Sequence, residues 1–133
     1  MRFRQVHLDF HTSEDIENIG GEFSREQFQA CLKMGHVDSI TLFSKCHHGW
    51  AYHPSHANKI HPNLHFDLLH EQIEAAHELG IKTPVYLSAG FDERIAREAA
   101  LAKEVRLEME RQARANYVEK PEEVISEVES IEE

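Results

Sequence analysis

Residues 39–50 read SITLFSKCHHGW, an apolar and β-branched pattern that runs directly into polar and aromatic residues. The first part of this stretch has the composition of a buried strand. It leads into Lys45, His47, His48 and Trp50, and this order of residues is not typical of a packed core. We therefore predict a strand over residues 39–45 whose end opens into a ligand pocket.

Two further strand patterns flank this stretch, and helical patterns separate all three. Residues 5–11, QVHLDFH, alternate between apolar and titratable side chains, and residues 83–91, TPVYLSAGF, form the third predicted strand. Helices are predicted over 24–35 and 67–80, because each range starts with a capping residue and ends in glycine. The order β-α-β-α-β predicts a parallel sheet, with function at the carboxyl ends of its strands.

The chain changes character after the third strand. Residues 94–116 are strong helix formers with a thin apolar stripe. Pro121 then separates a short last helix with an apolar edge at Val124, Val128 and Ile131. We predict two regions on this basis, a βαβαβ portion over residues 1–93 and a helical extension over residues 94–133.

Composition narrows the class of protein. The chain has 133 residues, 41% hydrophobic and 29% charged, which is typical of one globular domain. Its net charge of −10 disfavours nucleic acid as a partner. No apolar run is long enough to cross a membrane, and the first residues lack the layout of a signal peptide. We therefore expect a cytoplasmic protein.

The first strand carries a row of titratable residues, His7, Asp9 and His11, on one face. This row could bind a ligand or handle protons. It could also bind a metal, with His47 or His48 completing the ligand set, because histidine and aspartate at alternate positions can converge. A third interpretation is a buried polar row satisfied by hydrogen bonds.

The end of the second strand favours a sugar ligand. Lys45 can donate a hydrogen bond, and neutral His47 and His48 can both donate and accept, which suits sugar hydroxyls. Trp50 and Tyr52 offer flat faces for the apolar side of a pyranose. Alternation places Lys45 and His47 on one side and His48 on the other, and the alternative is a solvent-exposed histidine-rich loop. Six further histidines are predicted at the surface or in loops: His53, His56, His61, His65, His70 and His77.

Two carboxylates, Asp92 and Glu93, end the third strand. One of them could belong to a pocket. Equally, one could be an ordinary N-terminal cap of the long helix that follows.

Several separated motifs resemble one family. The stretches RQVHLDFHTSEDI, DSITLFSKCHHGWAYHPS, IHPNLHFDLL and TPVYLSAGFDE resemble the N-terminal part of the hypothetical glycosyl hydrolase 6 family. The second stretch is also distantly similar to the strand-two motif of α-L-fucosidases, alanine-lysine-histidine-histidine-aspartate-glycine. In this chain Cys46 is inserted after the lysine and the aspartate is missing, so fucose recognition is not carried over.

The resemblance implies a (β/α)8 TIM barrel that acts on glycosides without a cofactor. Such a barrel needs about 250 residues, so the chain would supply about three βα units of eight, followed by long C-terminal helices. By this resemblance the sugar site is lined by six residues: Asp9, His11, Lys45, His47, His48 and Trp50. Glycosidases use a pair of carboxylates, for which we predict Asp9 and Asp92, with Glu93 as the other available acid.

Three functions remain open from the sequence. The first is a glycoside hydrolase-like domain that binds a carbohydrate at the strand ends and that, as part of a barrel without a complete carboxylate pair, could be truncated and inactive alone. The second is a metal-dependent hydrolase that uses His7, Asp9 and His11. The third is a non-catalytic module for sugar binding or assembly.

Because a three-stranded parallel sheet has two open edges, we also expect a homo-oligomer.

Overall fold

The computed structural model describes residues 4–118, and the predicted last helix with Val124, Val128 and Ile131 lies outside them. Three strands alternate with three helices, as the sequence predicted. In chain order they are β1 (Gln5–His7), α1 (Arg25–Met34), β2 (Ser39–Lys45), α2 (Leu68–His77), β3 (Val85–Leu87) and α3 (Glu93–Val118).

The strands form one sheet in the order β1-β2-β3, and both pairings are parallel. The central strand β2 is buried over nearly its whole length, which explains its apolar and β-branched composition. This mixed α/β arrangement is consistent with part of a TIM-like unit. The described residues form an open sheet, so the barrel itself stays a prediction.

Both outer strands are shorter than their sequence patterns. The predicted strand 5–11 ends at His7, because side-chain hydrogen bonds replace the ladder after that point: the Tyr52 hydroxyl donates to the carbonyl of Phe10 and accepts from the N–H of Thr12. In β3 the strand ends at Leu87, and the hydroxyl of Ser88 then donates to the carbonyl of Phe91.

The two shorter helices begin where their capping residues predicted. The hydroxyl of Ser24 accepts the N–H of Gln27, and the carboxylate of Asp67 accepts the N–H of His70. Helix α2 ends before Gly80, which adopts a left-handed φ of 68° in the following turn. These local signals set the boundaries between the helices and the loops, and therefore the length of each loop that runs back to the sheet.

The core has two clusters of buried side chains. One lies between β2 and the helices: Leu32, Ile40, Leu42, Leu69, Ala76 and Ile81. The other lies under the loops that leave the strands: Ile19, Phe43, Cys46, Tyr52, Leu64 and Leu68. The second cluster holds the loop after β2 against the start of the chain, which positions the side chains described below.

The chain divides into two compact units, Met1–Ile95 and Ala96–Glu133. In the described part of the second unit, α3 leaves Leu101, Val105, Leu107 and Met109 exposed. No helix within residues 4–118 has the length and hydropathy that a membrane span requires.

Candidate functional site

The segments that leave the three strands meet at one rim of the sheet. The N–H of Ser88 donates to the carbonyl of Lys45, and the N–H of Glu93 donates to the carbonyl of His47 over 2.8 Å. The buried thiol of Cys46 contacts the carbonyl of Thr12. Parallel strands place their carboxyl ends at the same edge, so residues far apart in sequence become neighbours here.

Three imidazole rings lie side by side along this rim. The ring centroids of His11 and His47 are 4.0 Å apart, and those of His47 and His48 are 4.3 Å apart. His11 also makes edge contacts with the rings of Phe43 and Tyr86 on the sheet. We call His11, His47 and His48 the imidazole row.

His11 has a protein partner at both ring nitrogens. Its Nε2 lies 2.9 Å from Oδ1 of Asp9, and its Nδ1 accepts the N–H of His47 over 3.4 Å. This pattern requires the proton on Nε2. Burial lowers the pKa of His11, and the neighbouring His47 and His48 lower it further, against the opposing effect of Asp9. His11 is therefore a neutral residue that positions Asp9 and the backbone of His47.

Asp9 itself is open to solvent, with 71% of its side chain exposed. The Nε2 of His7 lies 3.9 Å from the same carboxylate oxygen. The predicted row of His7, Asp9 and His11 therefore comes together, although only its first residue belongs to a strand.

Lys45 and Asp92 form an ion pair of 2.7 Å in which the side chains are 9% and 10% exposed. The other oxygen of Asp92 accepts the N–H of Ile95, so Asp92 also caps α3. Burial would raise the pKa of Asp92, but the hydrogen bonds from Lys45 and Ile95 and the charges of Lys45 and Arg94 outweigh it and lower that pKa. Asp92 therefore fills the capping role that the sequence had left open, while its membership of a pocket stays a prediction.

His48 contacts the second acid of this segment. Its Nδ1 lies 2.6 Å from Oε2 of Glu93. The prediction that His48 lies on the opposite side from His47 is wrong, because alternation stops where β2 ends at Lys45. A turn follows, in which the N–H of Gly49 donates to the carbonyl of Cys46 and Gly49 adopts a φ of 92°.

Trp50 is more strongly tied to the protein than a free stacking platform would be. Its Nε1 donates to Glu14 over 3.1 Å, and the guanidinium carbon of Arg94 lies 5.7 Å from the ring centroid. The exposed aromatic residue of the rim is Phe91, which is 71% exposed and whose ring centroid lies 6.2 Å from that of His47. The sequence reasoning missed Phe91, although an aromatic residue directly before Asp92 was a usable signal.

His61 lies in a loop, which was one of the two predicted positions, but it is buried there, with only 1% of the residue exposed. Its Nε2 donates to the carbonyl of Ser13 over 2.9 Å, and its Nδ1 accepts the N–H of Asn63. Burial lowers the pKa of His61, against the opposing effects of the Ser13 hydrogen bond and the Glu14 charge. His61 is therefore a neutral side chain whose two hydrogen bonds connect two loops.

Metal binding was the second interpretation of these histidines. Across residues 4–118, no group of three or more histidine, cysteine, aspartate or glutamate side chains is arranged to hold a metal ion. The geometry therefore gives the metal-dependent alternative no support.

Comparison with known proteins identifies the family. The family model described as hypothetical glycosyl hydrolase 6 matches residues 24–125. The chain belongs to this family. Among solved structures, α-L-fucosidase isoenzyme 2 from Paenibacillus thiaminolyticus is similar, with 66% sequence identity and a TM-score of 0.72. None of the curated proteins matches the chain.

Membership of the hypothetical glycosyl hydrolase 6 family makes this chain a glycoside hydrolase-like domain. The matched range includes the rim from Lys45 to Glu93, and Asp9 and His11 precede it. The similarity to the fucosidase covers 74% of this chain and 15% of the fucosidase chain. The chain thus spans a small part of the length of that enzyme.

Proposed function

We propose that the imidazole row and its flanking carboxylates form a carbohydrate-binding site. The observation that supports this function is the meeting of His47, His48, Asp9 and Glu93 at one rim, where parallel strands end. Within residues 4–118 neither ring nitrogen of His47 has a hydrogen-bond partner, and neither has Nε2 of His48. Nitrogens of neutral imidazoles match sugar hydroxyls because they can donate or accept.

The other rim residues take supporting roles in this proposal. Phe91 supplies the exposed apolar face against which a pyranose can pack, and Trp50 supplies a second one on its edge. His11 holds His47 and Asp9 in place through its two ring nitrogens. Lys45 and Asp92 neutralise each other and anchor the start of α3, so their contribution to binding is indirect.

An α-L-fucoside is the first ligand to test. The 66% identity to an α-L-fucosidase supports this choice, even though Cys46 interrupts the lysine-histidine-histidine order of the distant motif. Asp9 stays the proposed catalytic carboxylate because it is exposed beside the imidazole row. Both oxygens of Asp92 are engaged by Lys45 and Ile95, which argues against Asp92 as its catalytic partner.

Binding can be measured by NMR titration of the full chain with L-fucose, with its mirror image D-fucose as the matched ligand control. We expect the histidine ring signals of His47 and His48 to shift with L-fucose only. Replacing His47 with alanine should weaken binding about tenfold, since it removes a hydrogen-bonding ring. The matched control, His70→Ala, changes an exposed histidine on α2. Equal shifts with both enantiomers, or none, would contradict a stereospecific sugar site.

Turnover needs a separate assay with an aryl α-L-fucoside. If the site is complete in this chain, hydrolysis should be lost in Asp9→Asn and kept in His70→Ala. Binding of L-fucose without hydrolysis by the wild-type chain would assign it the non-catalytic sugar-binding role.

We also propose that the chain self-associates, because β1 and β3 are each paired on one side only within residues 4–118. The cytoplasmic location and the exclusion of nucleic acid stay predictions from the sequence.

A further inference from the structure

Glu93 contacts His48 through a short hydrogen bond, and within residues 4–118 the second ring nitrogen of that histidine has no hydrogen-bond partner. The N–H of Glu93 donates to the carbonyl of His47, so the backbone of Glu93 is fixed to the loop that carries the imidazole row. Its Oε2 then lies 2.6 Å from Nδ1 of His48. Backbone and side chain of one residue thus contact two neighbouring histidines.

This contact decides which nitrogen of His48 carries a proton. A carboxylate can only accept at 2.6 Å, so Nδ1 of His48 must donate. In a neutral ring the second nitrogen, Nε2, is then an acceptor. A histidine without such a partner favours the opposite tautomer, in which Nε2 carries the proton.

The three rings of the imidazole row differ in this respect. His11 uses both nitrogens within the protein, and His47 uses neither within residues 4–118. His48 has one nitrogen assigned by Glu93 and a side chain that is 25% exposed. Glu93 therefore decides whether Nε2 of His48 donates or accepts a hydrogen bond toward a ligand.

We propose that Glu93 is a positioning residue that holds His48 as the Nδ1–H tautomer, so that its Nε2 accepts a hydrogen bond from a ligand hydroxyl. The ligand part of this inference rests on the proposed sugar site. The tautomer part belongs to the free protein. Metal-ligating histidines are oriented in the same manner by carboxylates that contact the second ring nitrogen.

Long-range proton–nitrogen NMR spectra of the free full chain test the tautomer without any ligand. The His48 signals are assigned by their loss in His48→Gln, and spectra are recorded near pH 8, where an ordinary histidine is neutral. We expect the Nδ1–H tautomer in the wild type and its loss in Glu93→Ala. It should be kept in Glu93→Gln, whose amide oxygen still accepts, and in the control Glu104→Ala on the same helix.

The ligand part is tested by the affinity for L-fucose. We expect Glu93→Ala to weaken binding roughly three- to tenfold and Glu93→Gln to restore most of it. A wild-type His48 with its proton on Nε2, or a tautomer unchanged by Glu93→Ala, would overturn the inference. So would a loss of affinity in Glu93→Ala with the tautomer unchanged, because Glu93 would then act on the ligand directly.

The two proposals fail in distinguishable ways. If the wild type binds no sugar, the proposed site is wrong, while the spectra of the free protein still decide the tautomer. If sugar binds and the tautomer is the opposite one, the site stands and the role of Glu93 is wrong.

Discussion

At the scale of single residues, the stability of the fold should depend on the buried ion pair of Lys45 and Asp92. Replacing Asp92 with asparagine keeps a side chain that can cap α3 and removes only the charge. Lys45 would then be buried without its counter-ion, so we expect a loss of about 3 kcal/mol in the free energy of unfolding near neutral pH. Chemical denaturation of the full chain measures this loss.

The control for this prediction is a pair on the surface. Arg111 and Glu108 lie 3.0 Å apart with side chains that are 80% and 50% exposed. Glu108→Gln should therefore change the free energy of unfolding by no more than about 0.5 kcal/mol. Equal stability of Asp92→Asn and Glu108→Gln would show that the buried pair is not formed.

His61 predicts how stability depends on pH. Burial lowers its pKa in the folded state, so below the ordinary value near 6.5 the unfolded chain takes up a proton first. The stability that the neutral ring contributes is therefore complete above pH 6.5. It is lost as the pH falls from 6.5 toward the lower folded pKa.

The measurement is the free energy of unfolding at several pH values between about 7.5 and 5. We expect a shallower dependence in His61→Gln than in the wild type, since the titrating group is gone. His11 also has a lowered pKa, so some dependence should remain. His70→Gln is the control, and an equally shallow profile in that variant would refute the assignment to His61.

At the scale of elements, the turn after β2 depends on Gly49. Its φ is 92°, and an added Cβ would overlap Oδ1 of Asp92 and lie 2.8 Å from Cβ of Arg94. We expect Gly49→Ala to lower the free energy of unfolding by about 2–3 kcal/mol, because backbone strain and steric overlap combine. Thermal or chemical denaturation checks this.

Substitutions at two other glycines separate the effect of backbone strain from the effect of steric overlap. Gly80 has a φ of 68° but open space around an added Cβ, so Gly80→Ala should cost only about 1 kcal/mol. Gly90 has open space and no left-handed φ, so Gly90→Ala should be close to neutral. A Gly49→Ala variant no less stable than Gly80→Ala would mean that the turn does not pack against Asp92 and Arg94.

The elements that the sequence predicted well are those whose limits are local. Ser24 and Asp67 cap their helices through bonds to residues three positions later, and β2 is an apolar run that ends at Lys45. The ends of β1 and β3 were overestimated because distant groups set them. For example, the hydroxyl of Tyr52 donates a hydrogen bond to the carbonyl of Phe10, although the two residues are 42 positions apart in sequence.

At the scale of the whole molecule, the topology explains which part of the site could be predicted. Parallel strands imply that His11, His47 and Asp92 approach one another, and they do so at one rim. The pairing of Lys45 with Asp92 and of His48 with Glu93 depends on side-chain packing, which no local pattern encodes. The burial of His61 likewise depends on loops that meet only in the folded chain.

The open sheet leads to a prediction about association. The edge strand β3 exposes Val85 and Leu87, and exposed apolar edge strands favour pairing between chains. We expect the full chain to form a dimer or larger assembly in light scattering at high concentration. Val85→Lys should shift this equilibrium toward the monomer, because a charge on an edge strand opposes pairing.

The matched control is Leu101→Lys, which makes the same change in charge at an exposed apolar position of α3. If edge pairing drives association, Leu101→Lys should leave the molecular weight unchanged. The reverse pattern, a monomer in Leu101→Lys and an unchanged assembly in Val85→Lys, would move the interface to the helix and support its role in assembly. A wild-type monomer at high concentration would show that neither surface pairs, and that the open edges are tolerated because β1 and β3 are only three residues long.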